Sequence, residues 1–214
     1  MRPLCLHKTN RGFTLIELLV AMVLGLVVLA AVLNIFVSQN RTNAVQQEVA
    51  YAQQNVRAAM DIITREIRGA GYDPQNNGFD AIQTATSNTI QVLSNLSGDD
   101  EAGNPNDANE DVTYTIDNTN RRITRMGNPM IEDVVPNSLQ FTYFKADGTS
   151  FVPANQTDRN DIRVVAIQFQ VHTQNEDPGL PGGYDLYPSS TGTCRTRTLA
   201  TRVRIRNVGF KDLQ

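Results

Sequence analysis

The chain has 214 residues, 40% of them hydrophobic, with 19 Lys+Arg against 22 Asp+Glu. That length suits one ordinary globular core beside a long helical segment. A mildly acidic chain is a poor match for neutralising phosphates, so direct nucleic-acid binding is not expected.

In chain order, residues 1–12 form a short leader with Arg2, Lys8 and Arg11 and no acid. Phe13 to Val37 follows, 25 residues in which only Thr14, Glu17, Gly25 and Asn34 interrupt the apolar character. As a helix this run would be about 38 Å long, enough to cross a hydrocarbon core of ~30 Å with some tilt. A secretory signal places its small-residue cleavage site after the apolar stretch. Here the small residue, Gly12, stands before it, so cutting at Gly12–Phe13 removes the basic leader and keeps the apolar helix. Bases on the N-terminal flank place the leader in the cytoplasm and the remaining chain outside it, the arrangement of a bacterial, exported, single-pass protein.

Beyond Val37 the apolar positions recur at Val45, Val49, Ala52, Val56, Ala59, Ile63 and Ile67. Steps of three and four are the mark of one apolar stripe on a helix. Asp61 and Arg65 stand four apart, in the favourable order for a surface ion pair. Gly69-Ala70-Gly71 and then Pro74 supply the stop. The spacing therefore predicts one rod with a membrane half, 13–37, and an amphipathic half, 38–68, about 84 Å in all if unbroken.

Residues 69–214 read as β. Thr89 to Leu93, Val112 to Ile116, Ile123 to Met126, Leu139 to Tyr143, Arg163 to Thr173 and Leu199 to Ile205 alternate apolar and polar, with turn signals at Asp117-Asn118 and Ala146-Asp147-Gly148. Period two with turn punctuation predicts an antiparallel sheet with one wet face. The dry face should pack on the helical stripe. The expected class is α+β, a long N-terminal helical spine against a C-terminal antiparallel β-sheet domain. Three long loops, Gly69 to Asp80, Ser97 to Asp111 and Gln174 to Thr193, punctuate it.

Four features carry candidate chemistry. Glu17 is a carboxylate within the apolar run, which costs roughly 2.5–3.5 kcal/mol at mid-span on insertion scales and less near an end. The bland alternative is that it snorkels to the interface. The loop with Asp99, Asp100, Glu101, Asp107 and Asp111 has oxygen spacing that suits Ca²⁺, although it lacks the helix–loop–helix pattern, and such loops are usually just solvated. Arg195, Arg197, Arg202, Arg204 and Arg206 form a basic strand face. That face either deters edge pairing or docks an acidic partner. The fourth is the thiol of Cys194, the one cysteine left once Cys5 goes with the leader, which reads as buried or idle, with an intermolecular bond as the alternative. His172 falls on the polar phase of its strand and reads as a surface residue. No nucleophile elbow, phosphate-binding glycine loop or zinc spacing is present, so the chain is not expected to be an enzyme or to need a cofactor.

Gly12-Phe13-Thr14-Leu15-Ile16-Glu17 resembles the processing motif of type IV prepilins and type II secretion pseudopilins. The resemblance implies a prepilin peptidase that cuts after Gly12 and methylates the new amine of Phe13. It also implies a pilin-like fold and packing of the mature helix with other minor and major pilins or pseudopilins. On that basis Gly12 is a peptidase subsite with no room for a β-carbon, not merely a flexible residue. Glu17 then pairs with the cationic amine of a mature Phe13, its own or a neighbour's. Arg65-Glu66-Ile67-Arg68-Gly69-Ala70-Gly71-Tyr72, the strand after Val135-Pro136, and Val203-Arg204-Ile205-Arg206-Asn207 resemble the PilW-type minor pilins, relatives of the J-class pseudopilins. This implies an inner-membrane subunit with a periplasmic domain, destined for a pilus priming or tip complex. Its service to adhesion, motility or DNA uptake would be indirect. A secretion pseudopilin and a membrane-tethered ligand-binding protein are the other classes.

Overall fold

The computed structural model describes residues 13–76, 78–98, 109–173 and 194–207. Helix α1 runs Leu15–Gly69. Among the described residues nine strands follow: β1 Ile82–Ala85, β2 Thr89–Leu93, β3 Asp111–Asp117, β4 Arg122–Arg125, β5 Asn128–Ile131, β6 Gln140–Phe144, β7 Ser150–Phe151, β8 Val164–His172 and β9 Thr196–Arg204, with the one-turn helix α2, Gln156–Asn160, between β7 and β8. The chain divides into two units, Met1–Gln46 and Gln47–Gln214.

In the first unit every described residue through Ala44 is exposed. An 18-residue window within α1 has a mean hydropathy of 2.9. An apolar helix with no protein cover is what a bilayer or a bundle of sister helices would solvate.

In the second unit the strands form two antiparallel sheets, not one. The first has the order β1-β2-β3-β4-β5 and the second β7-β6-β8-β9. Alternation in sequence reveals which face of a strand is dry but not which strand it pairs with. The sheets meet where Phe141 N–H donates to Ser87 C=O at 2.8 Å and Tyr143 Oη donates to Thr86 C=O at 2.7 Å. Both sheets and the distal part of α1 share one core. The helix contributes Val56, Ala59, Met60, Ile63 and Ile67, and the strands contribute Ile90, Tyr114, Ile123, Phe141, Ile167, Phe169 and Val203 among others. Of the predicted stripe, Val45, Val49 and Ala52 are only half-buried.

α1 ends where glycine allows it to. Gly71 takes φ +75°, a region that disfavours side chains, and a β-carbon there would lie 2.9 Å from the Ala81 Cβ. Its N–H donates to Leu93 C=O at 2.8 Å, which fastens the helix end to β2.

Candidate functional site

The head of α1 is a reciprocal cap. Thr14 precedes the first helical residue and Glu17 lies three positions on. Thr14 N–H and Thr14 Oγ1 each donate to Glu17 Oε2 at 3.0 Å, and Glu17 N–H donates back to Thr14 Oγ1 at 3.3 Å. The Thr-x-x-Glu spacing is a capping box, which satisfies helix-start donors that would otherwise be orphaned. So the carboxylate has a local task that the sequence reading passed over, although Thr14-Leu15-Ile16-Glu17 spells it out. Phe13 and Glu17 are both exposed. Gly12 and the rest of the leader lie outside the described residues.

The candidate Ca²⁺ residues Asp99, Asp100, Glu101 and Asp107 also lie outside them, as does the long loop 174–193. Asp111, at the start of β3, takes Gln91 Nε2 on its two oxygens at 2.9 and 3.1 Å. Beside it Glu110 is buried, and its Oε1 accepts the N–H groups of Leu96 and Ser97 at 2.6 Å each, so it ties the start of β3 to the chain after β2. Among the described residues no three of His, Cys, Asp and Glu come together as a metal-binding group.

Arg195, Arg197, Arg202, Arg204 and Arg206 are exposed on and beside β9, the outermost strand of the second sheet. The Arg202 guanidinium lies 4.8 Å from the centre of the Phe144 ring, a cation–π contact. Cys194 is buried.

His172 corrects the sequence reading, being buried at 3% exposure. The alternation that placed it outside fails at the end of β8, because β6 pairs no further than Gln168 and the chain at 133–135 takes over its rail. There His172 N–H donates to Asp133 C=O at 2.9 Å, and Val134 bridges Val171. A groove of about 240 Å³ opens beside it, with Tyr51, Asn55, Glu132 and Asp133 in its wall.

Residues 7–33 match the prokaryotic N-terminal methylation motif, and residues 45–208 match the model of prepilin peptidase-dependent protein B. The chain belongs to the prepilin peptidase-dependent protein B family. It is thus a type IV pilin-like protein. Among solved structures it is similar to the type IV-like pilin TTHA1219 from Thermus thermophilus, at 14% identity and a TM-score of 0.47, over 73% of this chain and 96% of that one. No curated protein matches.

In this family member a polar cluster joins helix to sheet. Arg125 of β4 clasps Glu66 of α1, with Nε at 3.2 and 3.1 Å from the two carboxylate oxygens and Nη2 at 2.9 Å from Oε1. The buried phenol of Tyr114 donates to the same carboxylate, and Arg125 also donates to Asn109. Burial first, and then the Glu66 carboxylate, push the Tyr114 phenol well above its ordinary range. The Glu66 hydrogen bond raises Arg125. Sequence offered Asp61 with Arg65 instead, and those two form no ion pair among the described residues. Helical spacing finds partners on one helix, whereas Glu66 finds its partner 59 residues away.

Proposed function

We propose that this chain is a minor pilin. In this reading a prepilin peptidase cuts after Gly12, the new amine of Phe13 is methylated, and the mature subunit passes from the inner membrane into a priming or tip complex of a type IV pilus. Its domain faces the periplasm before assembly and reaches the cell surface with the pilus. The role is structural. The observation that carries the proposal is the order of parts at the N-terminus: small residue, aromatic, capped carboxylate, then a long uncovered apolar helix leading into a folded domain.

Glu17 has two tasks in this account. Thr14 occupies Oε2. The negative charge attracts the cationic amine of a mature Phe13, and in an assembly that amine belongs to a neighbour and sets axial register. Such attraction is strong where water is excluded and costly to leave unmatched.

The test is co-purification from native membranes, with wild type compared with Gly12→Val. Wild type should bring down other minor pilins, whereas Gly12→Val should persist as a precursor and bring down none. Secretion-machine subunits in place of pilins would make the chain a pseudopilin. Recovery of the mature form with neither set of subunits would leave a tethered binding protein and overturn the proposal.

A further inference from the structure

The register of β9 defines an open backbone rail. Val165 pairs with Val203, Ile167 with Thr201 and Phe169 with Leu199, and the ladder is bounded by Thr173 N–H to Arg195 C=O and Ile205 N–H to Arg163 C=O, both main-chain bonds of 2.9–3.0 Å. In an antiparallel pair the bonded residues alternate, so the odd-numbered residues of β9 turn their N–H and C=O to β8. The even-numbered ones, Thr196, Thr198, Ala200, Arg202 and Arg204, turn theirs the other way. Nothing among the described residues meets them there. The rail stops at Arg206, whose N–H is taken by Arg68 C=O at 3.3 Å.

This edge is strongly basic within an acidic chain. Residues 195–206 contain five arginines and no acid, whereas the chain after Gly12 carries a net charge of −6. Arg197, Arg202, Arg204 and Arg206 are exposed and form no ion pair among the described residues. Arg202 and Arg204 alternate on the solvent face, opposite buried Val203 and Ile205. Edge charge deters indiscriminate pairing, but its sign matters. A second copy of β9 would set arginine against arginine, and a strand with acids at alternate positions would meet opposite charge at each.

We propose that β9 is a docking edge for an extended acidic segment of a partner subunit, which adds as a fifth strand of the second sheet. Main-chain hydrogen bonds to the even-numbered rail hold it, and Arg202, Arg204 and Arg206 select it by charge. The edge lies far in sequence from the processed N-terminus, so failure of one reading leaves the other standing.

The test uses the full chain in nonionic detergent and a fluorescent peptide of about nine residues, matching β9 in length, with Glu and Val alternating. A control peptide carries Lys in place of each Glu. The acidic peptide should bind at low salt at least about tenfold more tightly than the control, and Arg202→Gln/Arg204→Gln/Arg206→Gln should lose roughly that factor. Ala200→Pro removes an outward N–H without touching the β8 ladder, so it should weaken binding while leaving thermal unfolding near wild type. Should Ala200→Pro fail to fold, amide exchange in the wild type decides the matter, because the acidic peptide should slow Thr198, Ala200 and Arg202. Binding without that protection, equal binding of both peptides, no binding at low salt, or self-association that the peptide leaves unchanged would each overturn the proposal.

Discussion

Breaking the clasp between Glu66 and Arg125 should show how firmly the distal half of α1 is tied to the first sheet. The two side chains retain 15% and 22% of their exposure, respectively, so the pair lies between two regimes. Exposed pairs contribute about 0–1 kcal/mol, and removing one partner of a fully buried pair costs about 3–5 kcal/mol. Glu66 accepts from two Arg125 nitrogens and from the Tyr114 phenol, so Glu66→Leu takes the carboxylate from the guanidinium, which keeps its Asn109 acceptor, and strands a buried hydroxyl. Its cost should be about 2–3 kcal/mol after allowing for partial exposure. Arg125→Met leaves Glu66 its phenol donor and should cost less, about 1–2 kcal/mol. The double variant places two apolar side chains together, so it should cost less than the two singles summed, with a coupling of about 1–2 kcal/mol. The assay is guanidinium unfolding in nonionic detergent. The chain has no tryptophan and six tyrosines, so near-ultraviolet circular dichroism of tyrosine is the natural probe of packing. Costs that add to within about 0.5 kcal/mol would refute the reasoning, since the two residues would then be acting independently.

Other expectations follow from the same geometry. Ile63, with no exposure, sits in the core shared by helix and sheets, so Ile63→Ala should destabilise by about 2–5 kcal/mol in the same unfolding assay. Gly71→Ala should destabilise by more than about 1 kcal/mol, because it adds both a strained φ and a 2.9 Å contact, while Gly69→Ala, with open space around it, should not. Tyr114 has its phenol pKa raised in the fold, so the stability it contributes is full below the unfolded value of 10.0 and is lost as pH rises above it. Alkaline unfolding curves of Tyr114→Phe should therefore be flatter above that pH than those of wild type. Glu17→Gln keeps an acceptor for Thr14 and removes the charge. It should be processed and remain in membranes but enter assemblies poorly, as read by blotting of sheared and membrane fractions. Wild-type incorporation would reduce Glu17 to its cap.

The spine was legible because its signals are local. Its apolar length, its change to a three-four stripe and its Gly69-Ala70-Gly71 stop all lie within a few turns, and α1 ends at Gly69. Strand faces were legible for the same reason, as the alternation of Tyr114, Phe141 and Val203 shows. Partner choice was not, so one sheet was expected where there are two. β5 is not among the predicted strands; it carries Pro129, which is tolerated on an outermost strand, and that is where β5 lies. His172 was misplaced because the segment that covers it arrives from 133–135. The capping role of Glu17 is local too, spelled by Thr14 three residues earlier.

Intact-mass and N-terminal analysis of the protein purified from its native membranes probes the central claim most directly. The account predicts a product that begins at Phe13, carries a methyl group on its terminal amine and retains Leu15–Gly69. A product that begins at Met1, or beyond Val37, would contradict it.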